Sequence, residues 1–234
     1  MVAWGAQGWE YLDLGRLWQI ALTVGLVLWV VIIARGLSAK LRGQHLGSMP
    51  WGFFYAALSI PLFYGVGMLF EPKSHFAVID FWRFWVVHLW VEDFLEIFTA
   101  VTVAYMFVLI GMVPERTATR LIYLEIILYS VGGIVGTMHH LYFSGTPAVH
   151  TALGAFFSAM EVVPLVLLTF EAWRFMRLGG NKPGESVMDT SDEHFPHKWA
   201  VIFLTAVGFW NFVGAGVFGF LINLPVVSYW EIGT

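Results

Sequence analysis

Six long apolar segments constrain the fold of this 234-residue chain more than any other feature of its sequence. A helix needs about 20 apolar residues to cross the hydrocarbon core of a membrane, where only helices and closed barrels satisfy all their backbone polar groups. The mean hydropathy of +0.74 and the charged fraction of 12% are typical of multi-pass membrane proteins. The sequence therefore predicts an all-α, polytopic transmembrane helix bundle in the lipid bilayer, with a single domain over residues 1–234. The predicted spans lie near residues 17–34, 51–70, 81–113, 119–141, 148–176 and 199–222.

The distribution of basic residues predicts how this bundle is oriented. Nine of the twelve Lys and Arg residues fall in the loops that follow the first, third and fifth spans, and three fall on the opposite side. Loops rich in Lys and Arg stay on the cytoplasmic side of a membrane. Both ends of this segment are therefore expected on the outer side. The nine residues are Arg35, Lys40, Arg42, Arg116, Arg120, Arg174, Arg177, Lys182 and Lys198.

Composition excludes several kinds of site. The chain contains no cysteine, which rules out disulfide bonds, iron–sulfur clusters and thiolate metal ligands. The formal net charge of −4 at pH 7 is spread along the chain, and the sequence has no basic cluster of the kind that binds nucleic acid. Any metal must therefore be held by His, Asp or Glu side chains, by backbone carbonyls or by a cofactor.

Of the four histidines inside the predicted spans, three can meet at one depth, where ionisable groups are costly unless they pair, bind a ligand or carry protons. His88 lies near the start of the third span, and His139 and His140 lie near the end of the fourth. These spans run in opposite directions, so at about 1.5 Å per residue all three imidazoles reach the outer half of the bilayer. We therefore predict that they form a transition-metal site. The alternative is that they only form hydrogen bonds to neighbouring helices.

The adjacent pair His139 and His140 needs a local change in the helix to bind one ion. Consecutive side chains of a regular α-helix diverge by about 100°. The glycines at positions 132, 133 and 136 and the segment 144–147 (SGTP) permit the helix to loosen around the pair. We therefore expect an irregular helix end at this position.

Three carboxyl groups accompany the histidines. Glu92 and Glu96 lie four and eight residues after His88, which would place all three on one face of an α-helix. Two like charges at this spacing repel, so we expect Glu92 to bind the metal and Glu96 to be protonated and to relay protons. Glu161 lies in the middle of the fifth span, three residues before Pro164. It is either a proton-handling group in the active cavity or a carboxyl bonded to the backbone that the proline frees.

Two further predictions concern residues outside this cluster. Glu125 and Glu171 are expected near the cytoplasmic interface as ordinary polar groups. The sixth span contains Gly214, Gly216 and Gly219, whose small size allows the close approach of a second helix or of a flat macrocycle. The sequence does not separate these two possibilities.

Four motifs contain or flank these residues, and they read 88–92 (HLWVE), 136–142 (GTMHHLY), 157–161 (FSAME) and 211–217 (NFVGAGV). Together they resemble the catalytic subunit of bacterial nitric oxide reductase, a member of the haem–copper oxidase superfamily. Residues 91–96 (VEDFLE) are closer to the quinol-dependent type than to the cytochrome c-dependent type. The resemblance implies a twelve-helix fold in the bacterial cytoplasmic (inner) membrane, with both ends of this segment on the periplasmic side.

The resemblance also implies ligands and an activity. The implied ligands of a non-haem iron, called FeB, are His88, His139, His140 and Glu92. Glu96 and Glu161 would handle protons, and Glu10, in residues 9–12 (WEYL), would bind a structural calcium. Enzymes of this family contain two haem b groups. They reduce two NO molecules to nitrous oxide and water, a step of denitrification, with electrons from quinol or cytochrome c.

The same resemblance predicts that this sequence is a central fragment. The haem-ligating histidines of the family stand on earlier and later helices, so we expect them in the remaining part of the catalytic subunit or in a partner chain. The isolated segment is therefore expected to be inactive. Two alternatives remain open, an inactive truncated remnant and a non-redox membrane protein that binds or transports a metal.

Overall fold

The computed structural model describes residues 13–69, 73–141, 144–178, 188, 195–224 and 227. Within these residues the chain forms six long helical stretches and no β-strand. Consecutive stretches pack against each other, which is the arrangement of a helix bundle.

The first two stretches are regular α-helices. Helix α1, Arg16–Leu41, has 26 residues, and α2, Met49–Val66, has 18. Pro50 lies in the first turn of α2, where a backbone N–H is not required, and Pro61 lies inside the helix. At about 1.5 Å per residue α1 is about 39 Å long, so it exceeds a hydrocarbon core of about 30 Å.

The third and fourth stretches change helix type where the predicted site residues lie. The third consists of α3, Phe76–Trp85, a π-helix at Val86–Leu95 and α4, Glu96–Leu109. The fourth consists of α5, Glu115–Ile127, a π-helix at Leu128–Gly132, α6, Gly133–Gly136, and a 3₁₀-helix at Thr137–His140. Segments of π-helix are rare in proteins, and those that occur often lie at functional sites, so these departures indicate a functional region.

The last two stretches are interrupted as well. The fifth consists of α7, Ala148–Met160, and α8, Val162–Leu178, with a break at Glu161. The sixth consists of α9, Lys198–Trp210, a π-helix at Asn211–Phe218 and α10, Gly219–Asn223. The break at Glu161 has a cause in the sequence, because Pro164 has no N–H to donate to the carbonyl of Met160 four residues earlier.

Five of these stretches are long and apolar enough, within the described residues, to cross a membrane. The stretch of residues 76–109 is not among them, because each 18-residue window of it contains at least three charged residues. Its charged residues are Asp80, Arg83, Glu92, Asp93 and Glu96. The prediction of an all-α transmembrane helix bundle is confirmed, and the chain is a multi-pass membrane protein.

The structure differs in detail from two of the predicted spans. The third predicted span, 81–113, extends past the end of α4 at Leu109. Gly111 has a φ of 76°, a conformation that favours glycine, and it turns the chain before α5 begins after Pro114. The fifth predicted span, 148–176, corresponds to one helical stretch that could cross a membrane, Ala148–Leu178, with a break at Glu161.

The core lies between α2, α4, α5 and α8. Small residues bring α2 close to its neighbours, since Ala56 and Ala57 are fully buried and a Cβ on Gly52 would lie 3.3 Å from Ile122. Membrane helices pack by such close contacts, because the lipid supplies no hydrophobic force between them. The largest buried side chains include Ile60, Phe94, Ile97, Ile122, Tyr129 and Met176.

Glu125 is not the interfacial group that the sequence predicted. Its residue is only 4% exposed on α5, and its carboxyl lies close enough to Glu96 on α4 to interact electrostatically. The prediction was wrong because it considered depth along the helix and not the face, and the face that carries Glu125 packs inside the bundle. Glu171 is half-buried on α8.

Two glycines of the sixth stretch, Gly208 and Gly216, serve helix packing. A Cβ on Gly216 would lie 2.9 Å from the side chain of Val162, so this glycine lets the π-helix approach α8. Gly208 plays the same part on α9, where an added Cβ would collide with the side chain of Thr169. A Cβ on Gly214 would meet no described atom within 4 Å.

Candidate metal centre

Three imidazoles from two helical stretches meet inside the bundle. Each of His88, His139 and His140 offers one ring nitrogen, and these nitrogens all lie within 4.8 Å of one another. The ring centroid of His88 lies 5.2 Å from that of His139 and 5.3 Å from that of His140. His88 is fully buried and His139 is 8% exposed. The structure therefore brings together the three histidines that the sequence grouped by depth.

The adjacent histidines converge where the α-helix ends. Residues Thr137–His140 form a single 3₁₀ turn, and Leu141 leaves the helix with φ −92° and ψ 38°. The ring centroids of His139 and His140 are 4.0 Å apart, with 41° between the ring planes. The irregular helix end expected from the sequence is confirmed, and it frees the pair from the regular spacing of an α-helix.

His88 lies in a π-helix, so the α-helical spacing that was assumed between His88, Glu92 and Glu96 does not apply. The predicted shared face of His88, Glu92 and Glu96 assumed 3.6 residues per turn, but Val86–Leu95 is π-helical and turns more slowly. The backbone of Glu92 lies in this π-helix, and its side chain falls outside the described residues. Glu96 begins α4, and the carboxyl that interacts with it electrostatically is that of Glu125.

The carboxylate of Glu161 lies beside His88 in the cluster. Its Oε1 lies 4.0 Å from Nε2 of His88, and its residue is 6% exposed. The break between α7 and α8 places it there, with its N–H donating to the carbonyl of Ser158 at 3.1 Å. The sequence left two roles open for Glu161, and the structure brings its carboxyl beside His88.

Two glycines make room for this arrangement. A Cβ on Gly136 would lie 2.7 Å from Nε2 of His88 and 3.2 Å from Oε1 of Glu161. A Cβ on Gly154 would collide with the backbone nitrogen of His139 and lie 2.8 Å from the carbonyl carbon of Met138. The sequence assigned Gly136 a role in loosening the helix, whereas the structure shows that its small size is needed for space.

An aromatic ring from the third stretch, that of Phe84, packs against His140. Phe84 stacks on His140 with centroids 4.7 Å apart and ring planes 6° from parallel. The guanidinium of Arg83 lies 4.6 Å from the centroid of the Phe84 ring, and it also forms a 2.6 Å salt bridge with the buried Asp80. Stacked aromatic pairs contribute about 0.5–1.5 kcal/mol beyond their buried area. The stack on Phe84 of α3 thus contributes to the orientation of His140, which also contacts the rings of His88 and His139.

Sequence reasoning missed both Phe84 and Gly154. Phe84 lies four residues before His88, the spacing that places two side chains on the same helix face, and this was an available signal. Gly154 lies in an apolar span, where a glycine is a sign of close helix contact. Neither residue type carries chemistry of its own, so a search for ionisable groups passes over them.

Comparison with known proteins now identifies the family. The sequence matches the family described as cytochrome c and quinol oxidase polypeptide I over residues 1–234. The chain belongs to this family. It is also similar to a nitric oxide reductase subunit of Stutzerimonas stutzeri, with 28% identity over 165 residues. That alignment covers 70% of this chain and 32% of the relative, so the chain spans about a third of the length of the curated relative that it matches.

Membership of this oxidase family implies haem and metal cofactors, and the three histidines fit a metal. Imidazole nitrogens bind zinc, copper, iron and nickel. A metal about 2.1 Å from each nitrogen in tetrahedral geometry needs donors about 3.4 Å apart, which small side-chain rotations within the 4.8 Å cluster provide. Glu10, predicted from the resemblance as a calcium ligand, lies outside the described residues.

Proposed function

We propose that this segment supplies the non-haem metal site of a membrane enzyme that reduces NO to nitrous oxide. The observation that carries the proposal is the cluster of His88, His139 and His140 in the bundle interior, with Glu161 beside it. The similarity to the nitric oxide reductase subunit of Stutzerimonas stutzeri supports this chemistry. The reaction is 2 NO + 2 e⁻ + 2 H⁺ → N₂O + H₂O.

The proposed metal is iron, held by the three imidazoles and by Glu92. A carboxylate added to imidazoles makes a harder donor set, which suits iron better than copper. Iron at this site, together with a haem, would supply the redox chemistry and bring two NO molecules together. The two haem b groups would be ligated by another part of the catalytic subunit or by a partner chain.

The protein side chains would manage the protons. The reaction consumes two protons, and Glu161 is buried within 4.0 Å of the His88 imidazole, so it is suited to deliver a proton beside the metal. Glu96 is proposed as a second relay, and its electrostatic partner Glu125 extends the carboxyl pair into the core between α4 and α5. Glu161 and Glu125 are buried, and Glu96 is partly exposed.

The electron donor and the location follow from the same proposal. Residues 91–96 favour quinol over cytochrome c as donor. The similarity to nitric oxide reductase supports a location in the bacterial cytoplasmic membrane, and the excess of Lys and Arg in alternate loops supports both ends of this segment on the periplasmic side.

One experiment tests the metal and the activity together. The enzyme that contains this chain is purified from membranes as wild type, His88→Ala and His45→Ala, and each is measured for iron, for haem and for NO consumption with a reduced quinol. His45 is the matched control, because it is an exposed loop histidine. We expect His88→Ala to lose one iron per chain and all NO consumption while it keeps its haem.

Other outcomes point to other functions. Non-haem iron that persists in His88→Ala would contradict the ligand assignment. Metal bound by the wild type without haem and without NO consumption would favour a metal-binding or transport protein. A wild type with neither metal nor haem would favour an inactive remnant.

A further inference from the structure

A groove on the bundle lies away from the candidate metal centre, between the end of α1, the start of α2 and α4. Its volume is about 270 Å³. Its walls are mainly apolar and include Leu37, Met49, Phe53 and Val101, and its single charged residue is Lys40. Met49 and Val101 are buried, so the floor of the groove is part of the packed core.

The polar end of the groove presents hydrogen-bond donors. Nζ of Lys40 donates to the hydroxyl oxygen of Tyr105 at 3.3 Å and lies 5.7 Å from the centroid of its ring. Because that oxygen accepts from lysine, the phenol proton and the other ammonium protons remain able to donate. The hydroxyl of Thr102 donates within its own helix to the carbonyl of Phe98 at 2.8 Å. One positive charge and several donors therefore suit an anionic acceptor.

The groove also lies at the depth of lipid headgroups. Lys40 is in the last turn of α1, a helix about 39 Å long that extends beyond the hydrocarbon core. Trp51 nearby donates its indole N–H to the carbonyl of Gln44 at 3.3 Å, and tryptophan, tyrosine and lysine are typical of the membrane–water interface. The apolar wall continues from this interface toward the core.

We propose that this groove binds one phospholipid molecule. Its phosphate lies against Lys40 and Tyr105, and one acyl chain lies along the apolar wall. Basic pockets between transmembrane helices recognise anionic headgroups in this way. The proposal does not depend on NO reduction, because no residue of the groove belongs to the metal centre.

Native mass spectrometry of the purified protein in detergent tests this site. Dioleoyl phosphatidylglycerol is titrated into the sample, and dioleoylglycerol, which has the same acyl chains without phosphate, is the matched ligand. We expect one phosphatidylglycerol to be retained per chain, with about fivefold weaker binding in Lys40→Gln, the contribution of one interfacial lysine. Tyr105→Phe should weaken binding about two- to threefold.

Arg35→Gln is the matched control, since it removes a positive charge from an exposed position of the same helix outside the groove. It should retain wild-type affinity. Equal weakening in Arg35→Gln and Lys40→Gln would overturn the site, because it would show only a general effect of surface charge. Binding of dioleoylglycerol as tight as that of phosphatidylglycerol would also overturn it.

Discussion

Helix α1 and the stretch of residues 76–109 differ in helix geometry, in charge and in burial. Helix α1 is a regular α-helix, easily recognised as a membrane span, and only 11% of its apolar window is buried. The other stretch is too charged to meet the same criterion, contains the π-helix at Val86–Leu95, and buries His88 completely. The stretch that least resembles a membrane span therefore contributes His88, the most deeply buried histidine of the site.

The difference has a physical cause. A lipid-facing helix needs only apolar side chains and a complete set of backbone hydrogen bonds, and regular geometry provides both. A charged or polar group in a span is retained where it pairs or binds a ligand, because burying it alone is costly. Asp80, Arg83 and His88 each have such a partner in the described structure, and His88 lies where the helix departs from regular geometry. Substitutions in the two regions are therefore expected to have different effects on metal binding and on stability.

The largest effect is expected from His139→Ala. Loss of one imidazole should lower iron affinity by more than about a hundredfold, because a change in a group that only orients a ligand already costs ten- to a hundredfold. Iron content of the purified enzyme, measured against added chelator, checks this. His45→Ala is the control, and iron retained at the wild-type level in His139→Ala would remove this residue from the site.

Glu161→Gln should lower NO consumption by about a hundredfold while iron remains bound. The change keeps the shape of the side chain but removes its ability to take up and release a proton, and positioned acids and bases contribute about 10²–10⁴-fold. Turnover and iron content are measured on the same preparation. Glu171→Gln, on the half-buried part of α8, is the matched control. Normal turnover in Glu161→Gln would exclude it from proton transfer.

Gly136→Ala, which changes a residue beside His88, is compared with Gly25→Ala in α1. The added methyl would lie 2.7 Å from Nε2 of His88, so we expect the protein to be destabilised by about 1–3 kcal/mol, with a loss of iron. Gly25→Ala in α1 meets no described atom within 4 Å and should be neutral or stabilising by up to about 1 kcal/mol. The thermal unfolding midpoints of both variants, measured in detergent, test this difference. Equal midpoints for the two variants would contradict the crowding inferred around His88.

Phe84→Leu is expected to have the smallest effect. Loss of the stack on His140 removes about 0.5–1.5 kcal/mol of orientation energy, so metal affinity should fall about two- to tenfold. The d–d absorption spectrum of the Co²⁺-loaded site should also change, because the imidazole would be held in a different geometry. Phe76→Leu, at the exposed start of α3, should leave both unchanged. An unaltered spectrum in Phe84→Leu would show that the stack does not orient His140.

The helices and the histidine cluster could be predicted because they depend on composition and depth. Apolar length identifies a span, and opposite span directions brought His88 to the level of His139 and His140 before any contact was known. The irregular end at Thr137–His140 was also predictable, because adjacent histidines cannot converge on a regular helix.

The remaining features depend on which face of each helix packs inside. Glu125 was misassigned because its depth suggested an interface, whereas its face is buried against α4. The π-helix at Val86–Leu95 changes the spacing of positions 92 and 96 around the helix axis, and no single residue in that segment predicts a π-helix. Gly136 and Gly154 could be recognised only from the atoms they approach.

Diffraction with anomalous scattering at the iron absorption edge tests the central claim most directly. Crystals of the purified enzyme are measured just above and just below the edge, so that iron is distinguished from other metals. The account predicts a non-haem iron peak about 2.1 Å from one nitrogen of each of His88, His139 and His140. A crystal that shows haem iron and no peak among these three imidazoles, or a peak held by other residues, would contradict it.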